Sequence, residues 1–196
     1  MHDLEIRGAG EVLGESQSGE MQEVGFQLYT DMLSAAVNAL RAGREPDMVA
    51  PLGVTTEINL HTPALLPEAY LGDVHERLVL YKRLANCTTG PDLEAMQEEL
   101  IDRFGLPPPP ASVLLESHRL RILSKPLGVT KIDAAAERII VSFVDKPPFE
   151  PIKLIQMIQK DGRYRLAGPT RIRIEWPTKT LEDRLKLIKD FLKRLS

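Results

Sequence analysis

One cysteine, Cys87, leaves no disulfide framework, and four scattered histidines leave no ligand spacing for structural zinc. No apolar run approaches the ~18 residues of a membrane span. The N-terminus lacks the charged-then-apolar pattern of a signal peptide, so a soluble, cytoplasmic protein is expected. There is no G-x-x-x-x-G-K-[ST], no His-Glu-x-x-His, and no carboxylate pair beyond what chance on an acidic helix explains. An active site, a metal and a cofactor of this chain's own are therefore not expected.

What is there comes in 196 residues, 43% of them hydrophobic, enough for one ordinary core and an extra piece. Net charge is only −3 but unevenly spread: residues 1–118 carry 7 basic against 19 acidic side chains, and residues 119–196 carry 18 against 9. Such asymmetry fits a nucleic-acid surface, charge-complementary docking, or two solvated faces that partly neutralise each other.

Asp3–Gly19 is a segment that neither a helix nor a strand would choose, because Gly8, Gly10, Gly14 and Gly19 make it a shaped loop. Its G-x-G-x-x-x-G is one residue too long for a dinucleotide fingerprint, and Gly14–Ser18 lacks the second glycine of a nucleophile elbow. Arg7 and Gln17 flank the loop, a fork-shaped cation and an amide suited to clamping a phosphate, a carboxylate or a neighbouring loop. A purely structural loop is the alternative.

From Glu20 to Ala42 the period is helical, with an apolar face too wide for a free helix. Gly43 stops it and 44–53 reads as linker. A helix that needs a partner leads us to expect a piece of a longer chain. The expected division is 1–53 and 54–196. In the second part, Thr55–His61 alternates like a strand, and Asp73 with Glu76 makes a capping box for a helix to Cys87. A second helix from about Pro91 to Phe104 turns Leu93, Met96, Leu100, Ile101 and Phe104 inward, and Asp92, Glu94, Glu98, Glu99 and Asp102 outward.

Pro107–Pro110 sets the entry into a helix to Ser124, although four prolines in a row also suit a polyproline ligand. Val129–Asp133 and Arg138–Val144 read as strands, Ile152–Lys160 as a short helix, and Tyr164–Ala167 with Thr170–Trp176 as a hairpin about Gly168-Pro169. A last helix from Thr180 turns its leucines inward and its lysines and arginines outward. His75 and His118 read as surface or boundary histidines, and Cys87 as a half-buried residue. The fold class is α+β: several helices on a small mixed or antiparallel sheet.

Two functional classes suit these features. One is a regulatory docking module that uses the acidic helix. The other is a nucleic-acid-binding module in which Arg163, Arg165, Arg171, Arg173 and Lys179 contact a strand, with Tyr164 and Trp176 among them. Arg171 and Arg173 share one face of the hairpin, whereas Tyr164 does not share one with Arg163 and Arg165.

Asp3–Gly19 and the segment from Glu23-Val-Gly-Phe-Gln-Leu-Tyr29 through Ala42-Gly-Arg-Glu-Pro46 resemble the end of the translocation module of bacterial transcription-repair coupling factors. The first part of this stretch is shared with RecG-type DNA translocases. The likeness continues through Leu65-Leu-Pro67, Arg77-Leu-Val-Leu-Tyr-Lys-Arg83, Glu99-Leu-Ile-Asp-Arg-Phe-Gly105 and Leu166-Ala-Gly-Pro-Thr-Arg171, nearly the whole chain. The resemblance implies a parent that is an ATP- and magnesium-dependent translocase on double-stranded DNA, which dislodges stalled RNA polymerase and recruits UvrA. It implies that Arg7 and Gln17 couple ATP hydrolysis to movement. It also implies that residues 54–196 clamp a UvrB-like module of the same parent through Glu99 and Asp102, masking the UvrA-binding surface. The ATP-binding motifs, the polymerase-interacting domain and the UvrB-like module are absent from this chain.

Overall fold

Alternation of apolar and polar residues in the second half of the chain builds a sheet with one dry face. The computed structural model describes residues 56–196. The loop with Arg7 and Gln17, the helix read at Glu20–Ala42 and the boundary at 53/54 lie outside the described residues. The strands are β1 (Glu57–Asn59), β2 (Val129–Ala134), β3 (Arg138–Phe143), β4 (Tyr164–Gly168) and β5 (Arg171–Glu175). They form a mixed sheet in the order β1-β2-β3-β5-β4. Only β1 and β2 are parallel, with Ile58 beside Ile132. The rest is antiparallel, with Val141 beside Ile132 and Ile172, and Tyr164 beside Ile174.

Among the described residues there are five α-helices: α1 (Val74–Asn86), α2 (Gly90–Phe104), α3 (Pro109–Ser124), α4 (Pro151–Lys160) and α5 (Leu181–Leu195). The inward strand residues, Ile132, Ile139, Val141, Ile172 and Ile174, pack with Val113 and Leu120 of α3, Leu154 and Met157 of α4, and Ile188, Phe191 and Leu192 of α5. A second cluster joins Leu80, Tyr81 and Leu84 of α1 to Leu93, Met96 and Leu100 of α2 and to Ala111, Leu114 and Leu115 of α3. Helix α3 is thus the wall between two cores. That position is why its apolar residues run all round instead of along one stripe.

Local chemistry sets the joints. Pro108 precedes α3 and prolines open its first turn, where a missing N–H costs nothing. Gly128 sits at φ 67, and a Cβ there would lie 2.8 Å from Val144 Cγ2, so the entry to β2 has room only for glycine. The hairpin turn is Pro169-Thr170, not Gly168-Pro169. Gly168 still pairs with Arg171, at φ 147, and the register shifts between Leu166 and Gly168.

Two further expectations are corrected. Asp73 caps α1 by accepting from His75 N at 2.8 Å, while Glu76 pairs with Arg103 instead of closing a capping box. His118 is a buried residue of α3, whereas His75 is exposed. No helix among the described residues is long and apolar enough to cross a membrane.

Candidate docking site

The acidic helix α2 is built to stand rigidly at the surface. Thr89 and Asp92 form a reciprocal capping box, with Thr89 Oγ1 accepting from Asp92 N and Asp92 Oδ2 accepting from Thr89 N. Gly105 ends the helix at φ 84, a left-handed-side conformation that favours glycine. The Tyr70 hydroxyl secures that end by donating to Gly105 O at 2.8 Å. Leu93, Met96 and Leu100 are buried, which anchors one side and presents the other to solvent.

On the presented side the carboxylates divide into two sets. Glu99 lies in the seam between α1 and α2 and accepts both Arg83 amino groups, at 2.7 and 2.5 Å, as well as Arg103 Nη1 at 3.2 Å. Arg103 also reaches Glu76 and lies over the Phe104 ring, 4.8 Å from its centroid. The chain Glu76–Arg103–Glu99–Arg83 therefore stitches α1 to α2. Hydrogen bonds from Arg83 and then Arg103 hold the Glu99 carboxyl down at about 2, so it is ionised at any physiological pH.

Asp102, three residues on, is exposed and has no ion pair among the described residues. Glu94 and Glu98 are exposed as well, and with Asp102 they run i, i+4, i+8 along one open ridge. Glu99 and Asp102 are neighbours on α2, but Glu99 arrives already partnered and Asp102 does not.

Arg83 and Glu76 were not legible as parts of this cluster, because their contact with α2 depends on how α1 packs. Arg103 carried a signal, since Glu99 and Arg103 stand four apart in the favourable Glu-to-Arg order.

The hairpin arginines are far less uniform than their spacing suggests. Arg171 is exposed without an ion pair among the described residues, whereas Arg173 lies 3.2 Å from Glu175 and opposite Arg165. Arg163 pairs with Asp161 and lies over Trp176, 3.5 Å from its ring centroid. Tyr164 is buried and stacked on Phe191. The two aromatics among these cations are thus committed to intramolecular contacts. Lys179 is exposed. Cys87 caps α1 half-buried, and burial pushes its thiol up from its ordinary value. Among the described residues no three His, Cys, Asp or Glu side chains converge to hold a metal.

Comparison with known proteins gives the family of the chain. Residues 60–154 match the TRCF domain. The chain is 44% identical over 195 residues to the transcription-repair-coupling factor of Escherichia coli K12, covering 99% of this chain and 17% of that protein. It is 43% identical over its full length to the Haemophilus influenzae protein of the same name, again 17% of that protein. The fold is similar to a crystal structure of the C-terminal domain of a transcription-repair coupling factor, with TM-score 0.57 and 20% identity, covering 72% of this chain and 94% of that one. This chain spans about a sixth of the length of these two relatives. On these grounds the chain belongs to the transcription-repair-coupling factor family, and its described part has the fold of that family's C-terminal domain.

Proposed function

We propose that residues 54–196 are a regulatory docking domain that holds its parent closed by seating the acidic side of α2 on a basic surface of the UvrB-like module, so masking the UvrA-binding surface. The parent is an ATP- and magnesium-dependent DNA translocase that releases stalled RNA polymerase, and residues 1–53 end its translocation module. ATP and magnesium belong to the parent, and the fragment itself carries out no catalysis.

The observation that carries the reading is the disposition of α2. Its inner side is locked in a core while, from adjacent turns, Asp102 points into solvent and Glu99 lies half-exposed at the rim of the seam with α1. Charge reversal at Asp102 therefore changes a surface without removing packing, while reversal at Glu99 leaves the apolar core in place but also breaks its ion pairs with Arg83 and Arg103. Glu99 must exchange Arg83 or Arg103 for a partner's cation, and because that pair is half exposed its loss costs at most ~1 kcal/mol. Arg83 is then an internal competitor for the docking partner.

The experiment is a titration of this chain against the separated UvrB-like module of the same parent. Glu99→Lys/Asp102→Lys should weaken binding by at least about thirtyfold, since an interfacial charge left unpaired costs ~2–5 kcal/mol. Arg83→Ala should tighten it, by up to about fivefold. A folded double variant that binds as the wild type does would show that docking does not run through α2.

Arg7 and Gln17 are the proposed coupling residues. In the intact parent, Arg7→Ala and Gln17→Ala should each lower the distance moved per ATP hydrolysed, with DNA binding retained. Unchanged coupling ratios in both would return the loop to a structural role.

A further inference from the structure

The helices cover one face of the sheet, and among the described residues no element covers the other. Its rows follow from the register. One row runs Asn59, Asp133, Ile140, Arg173, Arg165, and the next runs Glu57, Lys131, Ser142, Arg171. Charge is graded along both rows. At the β1–β2 end, Lys131 is tied to Glu57 at 2.9 Å and Asp133 holds His61. At the β5–β4 end, among the described residues, Glu175 is the one carboxylate paired with Arg165 and Arg173, and Arg171 has no ion pair.

We propose that this end of the open sheet face, built on Arg165, Arg171 and Arg173, binds the phosphate backbone of a nucleic acid. Arg165 and Arg173 are direct cross-strand partners, an arrangement that like charges destabilise in an isolated sheet. Glu175 is 3.6 Å from the Arg165 Nε and 3.2 Å from the Arg173 Nε, too little to neutralise three guanidinium groups, and the Arg173 Nε has no aligned acceptor. An incoming anion supplies the missing charge. Arg171 and Arg173 are two residues apart on one strand, a separation of roughly 7 Å, which brings more than one phosphate of a strand within reach. Guanidinium forks suit phosphate oxygens better than ammonium groups do.

The committed aromatics define the mode of binding. Among the described residues Tyr164 is buried and Trp176, 36% exposed, already carries Arg163 over its ring, so contacts fall on the backbone and are blind to sequence. An acidic protein segment is the less favoured occupant. The outward positions of β4 and β5 offer no large apolar anchor of the kind that dominates protein interfaces, and the exposed Leu166, Ile152 and Ile155 lie on other elements or the other side of β4.

Fluorescence anisotropy of a labelled DNA duplex titrated with the full chain tests this. Binding is expected at low salt, with log K falling against log salt at a slope of about −2 to −3, as three phosphate contacts require. Arg171→Glu/Arg173→Glu should lower affinity by at least about tenfold, while Lys186→Glu/Lys193→Glu on α5 makes the same change in net charge and should lower it by less than about threefold. Thermal melts should show the face variant folded, because Arg173→Glu trades the like-charged pair with Arg165 for an opposite-charged one while losing the contact with Glu175. No anisotropy change at low salt, equal losses in both variants, or equal affinity for a polyglutamate competitor would each overturn the proposal.

Discussion

Replacing Arg184 with alanine is expected to lower the stability of the fold by about 3 kcal/mol, a fall of roughly 10 °C in melting temperature for a domain of this size. Arg184 sits in the first turn of α5, where a cation gains nothing from the helix dipole, and it is buried. Its guanidinium donates to Leu60 O at 2.9 Å, Ala134 O at 3.1 Å and Thr178 Oγ1 at 3.3 Å. Leu60 follows β1 and Ala134 ends β2, so one side chain ties the ends of the two parallel strands to the start of α5. At the other end of this short parallel pairing the Thr56 hydroxyl donates to Val129 O at 2.7 Å and Arg121 Nε donates to Thr56 O at 3.1 Å, so Arg184 is the fastening of the C-terminal end. Alanine would take the guanidinium donor from Ala134 O, leave Leu60 O with the longer Thr62 hydroxyl bond at 3.3 Å, and open a cavity, whereas Arg184→Met fills the space without restoring the donors. The methionine variant should therefore recover part of the loss and not all of it. Chemical denaturation of the three proteins measures the differences, and a methionine variant as stable as the wild type would mean the hydrogen bonds add nothing net to burying the charge.

That arginine also marks where reading the chain stops short. The periodicity of α5 correctly assigns Ile188, Phe191, Leu192 and Leu195 to the core, yet the same rule sends every basic residue outward, and Arg184 goes in. No local signal distinguishes it from Lys186 or Lys193, because its acceptors are carbonyls 124 and 50 residues earlier in the chain. The parallel contact of β1 with β2 was illegible for the same reason. Strand positions, by contrast, were accessible from β-branched alternation, as with Ile139, Val141, Ile172 and Ile174. The end of β4 was misplaced because glycine and proline together read as a turn, while Gly168 at φ 147 stays paired and leaves the turn to Pro169 and Thr170.

The acidic helix α2 was legible as an object and only half legible as a candidate site. Its stripe, its stop at Gly105 and its acidic outer side follow from residue spacing alone. That Glu99 is already held by Arg83 and Arg103 while Asp102 is not depends on the packing of α1 against α2 through Leu80, Leu84, Leu93 and Met96. The distinction matters for mechanism, because a carboxylate with internal partners can be exchanged between them and an external cation. A bare one adds charge to an approach without having to release anything.

His118 should dominate the upper part of acid unfolding. It lies in the wall helix between the two cores. Burial first, and the neighbouring Arg121 second, push its imidazole from its ordinary value of 6.5 down to about 3. The Nδ1 atom stands 3.4 Å from Arg121 Nη1 and acts as an acceptor, so the neutral ring is the bound form and a proton would place two cations side by side. In the unfolded chain the ring titrates near its ordinary value. Between 6.5 and about 3 the unfolded state therefore holds a proton that the folded state does not, and stability declines as pH falls through that window. From about pH 7 to about pH 4.5 the loss attributable to this one group is on the order of 2–3 kcal/mol. Glu99 acts in a lower window, from 4.5 toward about 2, and being partly exposed contributes under ~1 kcal/mol. His118→Gln keeps an acceptor for Arg121 and cannot titrate, so its stability should be lower at neutral pH but nearly level down to about pH 5. The two curves should converge as pH falls. Urea denaturation of wild type and variant across that range checks this, and parallel curves would place the acid sensitivity elsewhere.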